Sequence, residues 1–181
     1  QEVYGSIFPG WESKLDFVSG GLSGAPKFPM PMVWEFLLQD FYHTHNKKAL
    51  EAVTTTLDEM ANGGIYDHLG GGFARYSTDD QWRVPHFEKM LYDNGQLVSL
   101  YAHAFQVTKD STYYDVVRET LDFIKSEMTS PEGGFYSSLN ADSEGEEGTF
   151  YVWTKYEIER ILNQKASGIF IDYYNITEEG N

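Results

Sequence analysis

The 181-residue sequence contains no cysteine, which excludes disulfides, thiolate metal sites and cysteine nucleophiles. It is poor in positive charge: 13 Lys and Arg stand against 28 Asp and Glu, a formal charge of −15. Such a surface repels nucleic acid and anionic lipid, so neither is expected as a partner, and a neutral or cationic ligand is favoured. No apolar run is long enough to span a bilayer, and no signal-peptide pattern opens the chain. Low-complexity tracts are missing too, and 41% hydrophobic residues predict a globular fold. The expected location is the cytoplasm, with which the lack of cysteine is compatible.

What is abundant is aromatic: 13 Tyr, 12 Phe and 4 Trp, 16% of the chain. These rings fit a helical core built from large side chains, or a cleft whose ring faces stack on sugars. After an irregular N-terminal stretch, "MPMVWEFLLQDFYHTH" (30–45) is apolar on most faces and predicts a buried helix. "NKKALEAVTTTLDEMANGG" (46–64) is amphipathic, with Asn46 to cap a helix over 46–62 and Gly63 and Gly64 to stop it. A Gly-rich loop over 63–82 leads to a helix over 85–107, where Pro85 suits the first turn. Another amphipathic helix is expected over 110–128, then a hairpin around an acidic turn within 133–153. Thr154 and Glu157 stand in capping-box spacing before a helix over 154–162, and a last helical segment falls near 166–174.

Gly-Gly followed by an apolar residue recurs at 20–22, 63–65 and 133–135. The last two close amphipathic helices ending in Met60 and Met128, and both loops are expected at one end of the array. The fold class read from this is all-α: helical hairpins of alternating inner and outer helices, with short β-hairpins in Gly-rich loops. Six such hairpins close into an α/α toroid, and about three are countable here. The chain is expected to be one partial toroid domain over 1–181, exposing apolar walls that self-associate or pair with the missing remainder.

"GGLSGAPKFPMP" (20–31), "GGIYDHLGGGFARYSTDDQWRVPHFEKMLYDNGQL" (63–97) and "NADSEGEEGTFYVWT" (140–154) together resemble the YyaL-type family, related to the spermatogenesis-associated thioredoxin-domain proteins. Gly95 and Asn140 depart from the Ala and Asp usual there. The resemblance implies the first half of a six-hairpin toroid similar to N-acylglucosamine 2-epimerases and six-hairpin glycosidases, without the family's thioredoxin-like domain and later hairpins. The function it implies is acid/base processing of a neutral saccharide in a toroid funnel, epimerase/isomerase-like or glycosidase-like. The alternative is a non-catalytic binding or scaffold module beside a thioredoxin-like domain.

Four residues are expected to carry the chemistry. His86 and Asp93, seven apart, would share one face of the 85–107 helix with Cα atoms roughly 10 Å apart. His68 and Asp67 join them from the preceding loop. Arg75 and Trp82 from that loop, with Glu88, Lys89 and Asn94 from the helix, are the expected substrate-binding residues. Each has a structural counterpart reading: Asp93 and Asn94 as braces of loop backbone, His86 as a satisfied buried histidine, Arg75 as partner of a nearby Asp. Asp142 and Glu144, on the acidic turn, complete the substrate-binding set. Asn140, Asp142, Glu144 and Gly145 also sit at positions 1, 3, 5 and 6 of an EF-hand-like loop, but Tyr151 holds position 12 where a Glu belongs. No metal and no cofactor are expected. His43 and His45 are two apart, unsuited to a helical zinc pair, and are expected at the surface near a helix end.

Overall fold

The computed structural model describes residues 2–178, with side chains from Ile7 onward in the first helix. It divides into two compact units, Gln1–Ala141 and Asp142–Asn181.

The first unit holds five helices. Residues read as irregular form α1 (Glu2–Glu12), a helix despite Pro9. Its packing against α2 (Pro31–Thr44) overrides the weak local preference, and Phe8 is buried. α2 buries Trp34, Leu37 and Leu38, and the Trp34 indole N–H donates to Pro29 O at 2.6 Å. The left-handed C-cap His45 turns the chain into α3 (Lys47–Asn62), whose first turn is capped by the Asn46 side chain. α3 buries Ala49, Val53, Leu57 and Met60 at helical spacing. His43 and His45 are exposed at the end of α2.

The fourth helix begins later than its sequence suggests. α4 spans Leu91–Thr108, not 85–107. Residues 85–90 are spent on sheet pairing: β1 (Tyr76–Ser77) pairs antiparallel with β2 (Pro85–His86), and β3 (Lys89–Met90) with β4 (Ser138–Leu139). The Leu91 N–H then donates to Ser137 O at 3.0 Å, a partner outside the helix that fixes where it starts. Pro85 therefore sits in a strand, and His86 and Asp93 do not share a helical face. α5 (Ser111–Glu127) follows, with the Asp110 side chain capping it at Thr112 N. Tyr101 at the α4 core donates to Leu57 O at 2.8 Å and stacks on Phe73.

The loops entering α2 and α4 and the loop leaving α5 gather at one end of this unit, joined by β3–β4 and by a bridge between Lys27 and Ser77. The Gly-Gly loops after Met60 and Met128 thus lie together.

The loop repeat has a different register from the one the sequence suggests. Asp16 N–H donates to Gly21 O at 3.0 Å and Asp67 N–H to Gly72 O at 2.9 Å. One carboxylate oxygen of Asp16 accepts from Val18 and Ser19 N–H, and that of Asp67 from Leu69 and Gly70 N–H. Isolated bridges close both loops, Leu15 with Leu22 and Tyr66 with Phe73. Gly71-Gly72, not Gly63-Gly64, is thus the counterpart of Gly20-Gly21. In the third loop Ser130 N–H donates to Gly134 O at 2.7 Å and Thr129 bridges Phe135, one residue tighter.

In the second unit the expected hairpin contracts to β5 (Asp142–Ser143) and β6 (Glu146–Glu147), because 138–139 are already paired with β3. Glu144 (φ 56°) and Gly145 (φ 88°) are the two left-handed central residues of a tight two-residue turn. α6 (Lys155–Ile161) starts with the reciprocal Thr154–Glu157 capping box, and α7 (Gln164–Tyr173) with Asn163 as its cap.

Candidate functional site

At the loop end of the first unit, four cationic or amide side chains meet carboxylates and backbone. Lys89 is buried, 3% exposed, and its ammonium donates to Asp67 Oδ2 at 2.7 Å and to Gly71 O at 2.9 Å. It also lies 4.4 Å from the Phe123 ring centre. Burial pushes the Lys89 ammonium below its ordinary pKa, against the pull of Asp67. Burial would raise the Asp67 carboxyl, yet the Lys89 charge and two loop N–H groups together hold it below its ordinary value. Lys27 repeats this arrangement in the first loop: it donates to Asp16 Oδ2 at 2.8 Å and to Gly20 O, with Trp82 beneath it.

Asn94 is fully buried. It accepts from Phe73 N–H at 2.7 Å and donates to Phe73 O at 3.0 Å and Met90 O at 2.9 Å, so it splices the loop to the start of α4. Trp82 is fully buried as well, in a left-handed backbone conformation, and donates its indole N–H to Ser19 O at 2.8 Å. Its ring faces the protein interior and offers no face to a ligand. His68 is exposed, with Nε2 2.9 Å from Gly63 O and its ring edge-on to Tyr66.

Arg75 differs from these braces. Its Nη1 donates to both Asp93 oxygens at 3.0 Å, while its backbone N–H donates to Glu88 O at 2.7 Å. The guanidinium lies over the rings of Phe28 and Tyr92, 5.2 and 5.3 Å from their centres. The stack continues from Phe28 to Tyr76 at 4.8 Å and from Tyr76 to His86 at 4.9 Å. Five planar side chains thus follow one another in contact, with the Arg75 side chain 31% exposed and Asp93 buried. Burial raises the Asp93 carboxyl above its ordinary pKa, and the Arg75 charge offsets this only in part. His86 Nε2 stands 3.9 Å from Glu88 Oε2.

The structure therefore brings Arg75, Asp93, His86 and Glu88 into one half-exposed group, and places Asp67, Lys89 and Asn94 beneath as loop fasteners. Phe28, Tyr76 and Tyr92 complete the group and were not among the sequence-derived candidates. Tyr76 directly after Arg75 is the available local signal, but nothing local links Phe28 to it. In the second unit Asp142 and Glu144 are exposed on the β5–β6 hairpin. Among the described residues no group of three or more His, Asp or Glu is placed to hold a metal. Nor is any described helix long and apolar enough to cross a membrane.

No family model matches the chain. Human spermatogenesis-associated protein 20 is 42% identical over 182 residues, covering 90% of this chain, which spans 23% of that protein's length. A sugar epimerase from a ruminal bacterium superposes with a TM-score of 0.66 at 14% identity, covering 84% of this chain and 43% of its own. An α-1,6-mannanase from Salegentibacter, solved with α-1,6-mannotriose, gives 0.52 at 16% identity over 66% of this chain and 34% of its own. This chain is a homologue of spermatogenesis-associated protein 20, and its helical hairpins are of the kind that builds the six-hairpin α/α toroids.

Proposed function

We propose that the loop end of the first unit is the saccharide-facing surface of a carbohydrate-processing domain. The observation that carries this is Arg75. Asp93 occupies one terminal nitrogen and cancels the charge, while two aromatic rings hold the guanidinium plane rigid. Nε and Nη2 make no hydrogen bond among the described residues, so a neutral pair presents pre-aligned N–H donors at the surface. That suits the hydroxyls of an uncharged sugar better than a carboxylate, which the net charge of −15 also disfavours. Asp93 acts here as the positioning residue for Arg75. His86, with Glu88 beside it, is the acid/base candidate at the end of the same stack.

Proton transfer of the epimerase/isomerase kind fits this group better than glycoside hydrolysis. Hydrolysis needs two carboxyl groups flanking a bond, and Asp67 and Asp93 are both committed to ion pairs. The ruminal sugar epimerase with the same fold supports this reading. A location in the cytoplasm accords with the lack of cysteine. Phe150, Trp153, Tyr156, Ile169 and Tyr173 of the second unit are exposed, which supports self-association or burial by further toroid hairpins.

A scaffold role is the second reading, and one observation favours it: Asp67, Lys89 and Asn94 spend their polar groups on the loops themselves. Calorimetry of the full-length protein with neutral disaccharides separates the two. Binding that weakens roughly tenfold in R75M, about 1.5 kcal/mol, is expected for the loss of charge-assisted hydrogen bonds. Absence of saccharide binding, or binding indifferent to R75M, would leave the scaffold reading.

A further inference from the structure

A second polar group lies on the helices rather than the loops. His103 of α4 places Nδ1 2.9 Å from Oε1 and 3.0 Å from Oε2 of Glu35 on the neighbouring α2. The histidine side chain is 51% exposed and the glutamate 24%. A carboxylate on Nδ1 fixes the tautomer in which Nδ1 carries the proton and Nε2 the lone pair, the arrangement of an oriented base. Among the described residues Nε2 has no hydrogen-bond partner.

The placement is not isolated. Tyr92, Gln96, Ser99 and His103 fall four, three and four residues apart, one continuous exposed stripe of α4. Between the first two, Gly95 adds no side chain, and a Cβ there would meet nothing within 4 Å. The stripe begins at Tyr92, one of the two rings in contact with the Arg75 guanidinium, and reaches His103 after eleven residues, roughly 16 Å. That distance is spanned by an oligosaccharide, not by a single hexose ring.

We propose that Glu35 and His103 form a proton-transfer dyad at the far end of a track along α4 that takes a neutral oligosaccharide held at Arg75. The dyad itself stands on its own geometry, while the oligosaccharide rests on the saccharide reading of the Arg75 group. Nε2 accepts a proton from a ligand hydroxyl, whose bonding pair stays on the oxygen. The imidazolium so formed is balanced by the Glu35 carboxylate, and the reverse transfer returns the proton.

Nitrogen-15 histidine spectra of the chain at pH 8, where an ordinary histidine is neutral, read the dyad directly. The expected result is a majority Nδ1–H tautomer at His103 that E35A abolishes, in a variant whose remaining spectrum is preserved; E35Q, nearly isosteric, gives the same readout. A majority Nε2–H tautomer in the unmodified chain, or a tautomer ratio unchanged in E35A, overturns the dyad and leaves a plain surface ion pair. Cellotriose added to the same sample should shift His103 and the Arg75 Nε–H together. If Arg75 alone shifts, saccharide binding stands and the track is overturned. If neither shifts while the tautomer is as expected, the dyad stands and the saccharide reading falls.

Discussion

The first two Gly-Gly loops and the third start from the same backbone circuit and end differently. In the first two, an aspartate opens the loop, two left-handed glycines close it, and a buried lysine bonds the carboxylate and a glycine carbonyl at once. In the third, Ser130 replaces the aspartate, only Gly133 is left-handed, and residues 131–137 are exposed. The glycine pair therefore permits the turn, and the two loops that also carry a Lys–Asp clasp are the ones packed against a helix, Gly20 on Thr56 of α3 and Gly71 on Glu119 of α5. A Cβ on Gly71 would lie 2.6 Å from Glu119 O of α5, and one on Gly133 would meet nothing. The clasped loops carry the candidate site; the open one contributes the strand that pairs with β3 and the Ser137 carbonyl that accepts from Leu91 N–H.

Removing a clasp is the largest perturbation this comparison predicts. K89A leaves Asp67 partly buried without its cation and should lower the unfolding free energy by about 3 kcal/mol in denaturant titrations. A loss within error would mean the lysine follows the loop rather than holding it. The glycines sharpen the contrast. G71A combines a left-handed φ with a clash against backbone and should cost about 2 kcal/mol, whereas G133A carries only the conformational cost of about 1 kcal/mol. Equal losses in the two variants would erase the distinction between clasped and open loops.

Acid unfolding probes the same difference through charge. Asp67 and Asp16 both have carboxyls held below the ordinary value of 3.8. Their contribution is complete above that value and is lost as pH falls through the lowered one. D67N should therefore flatten the decline of stability in that acid window; a decline as steep as in the unmodified chain would show that other carboxylates carry it. Asp93 has the opposite sign. Its carboxyl is raised by burial, so the chain gains stability from it as pH falls through the raised value, and D93N lacks that gain. At neutral pH D93N relieves part of the burial cost while losing the pairing with Arg75, and its net effect should stay below about 1 kcal/mol. If D93N unfolds the chain, Asp93 is a brace and not the positioning residue of a binding group.

Helix periodicity made most of the fold legible. Asn46, Thr154 and Glu157 cap where their residue types say they should, and Met60 and Val53 face the core. The helix start differs where strand pairing, once close in sequence at 76–77 and once remote at 138–139, takes residues the periodicity assigns to a helix. Nothing near Pro85 and His86 reveals that Tyr76 and Ser77 will pair with them, or that Leu139 will pair with Lys89. An amphipathic pattern running through 85–107 therefore predicts one helix, where the structure starts it at Leu91. The candidate site was legible as a set of residue types in the central motif, but which of them are buried and which exposed was not. Lys89 and Arg75 read alike as cations near aspartates; only burial separates a fastener from an exposed donor.

The most direct test of a saccharide-facing Arg75 is a proton–nitrogen correlation of its side-chain Nε–H during titration with a neutral disaccharide. A saturable shift at Arg75, absent with a non-sugar osmolyte and lost in R75M while the remaining spectrum is preserved, is the predicted result. An Arg75 resonance that stays fixed while saccharide binds elsewhere, or a spectrum unchanged throughout, would contradict it.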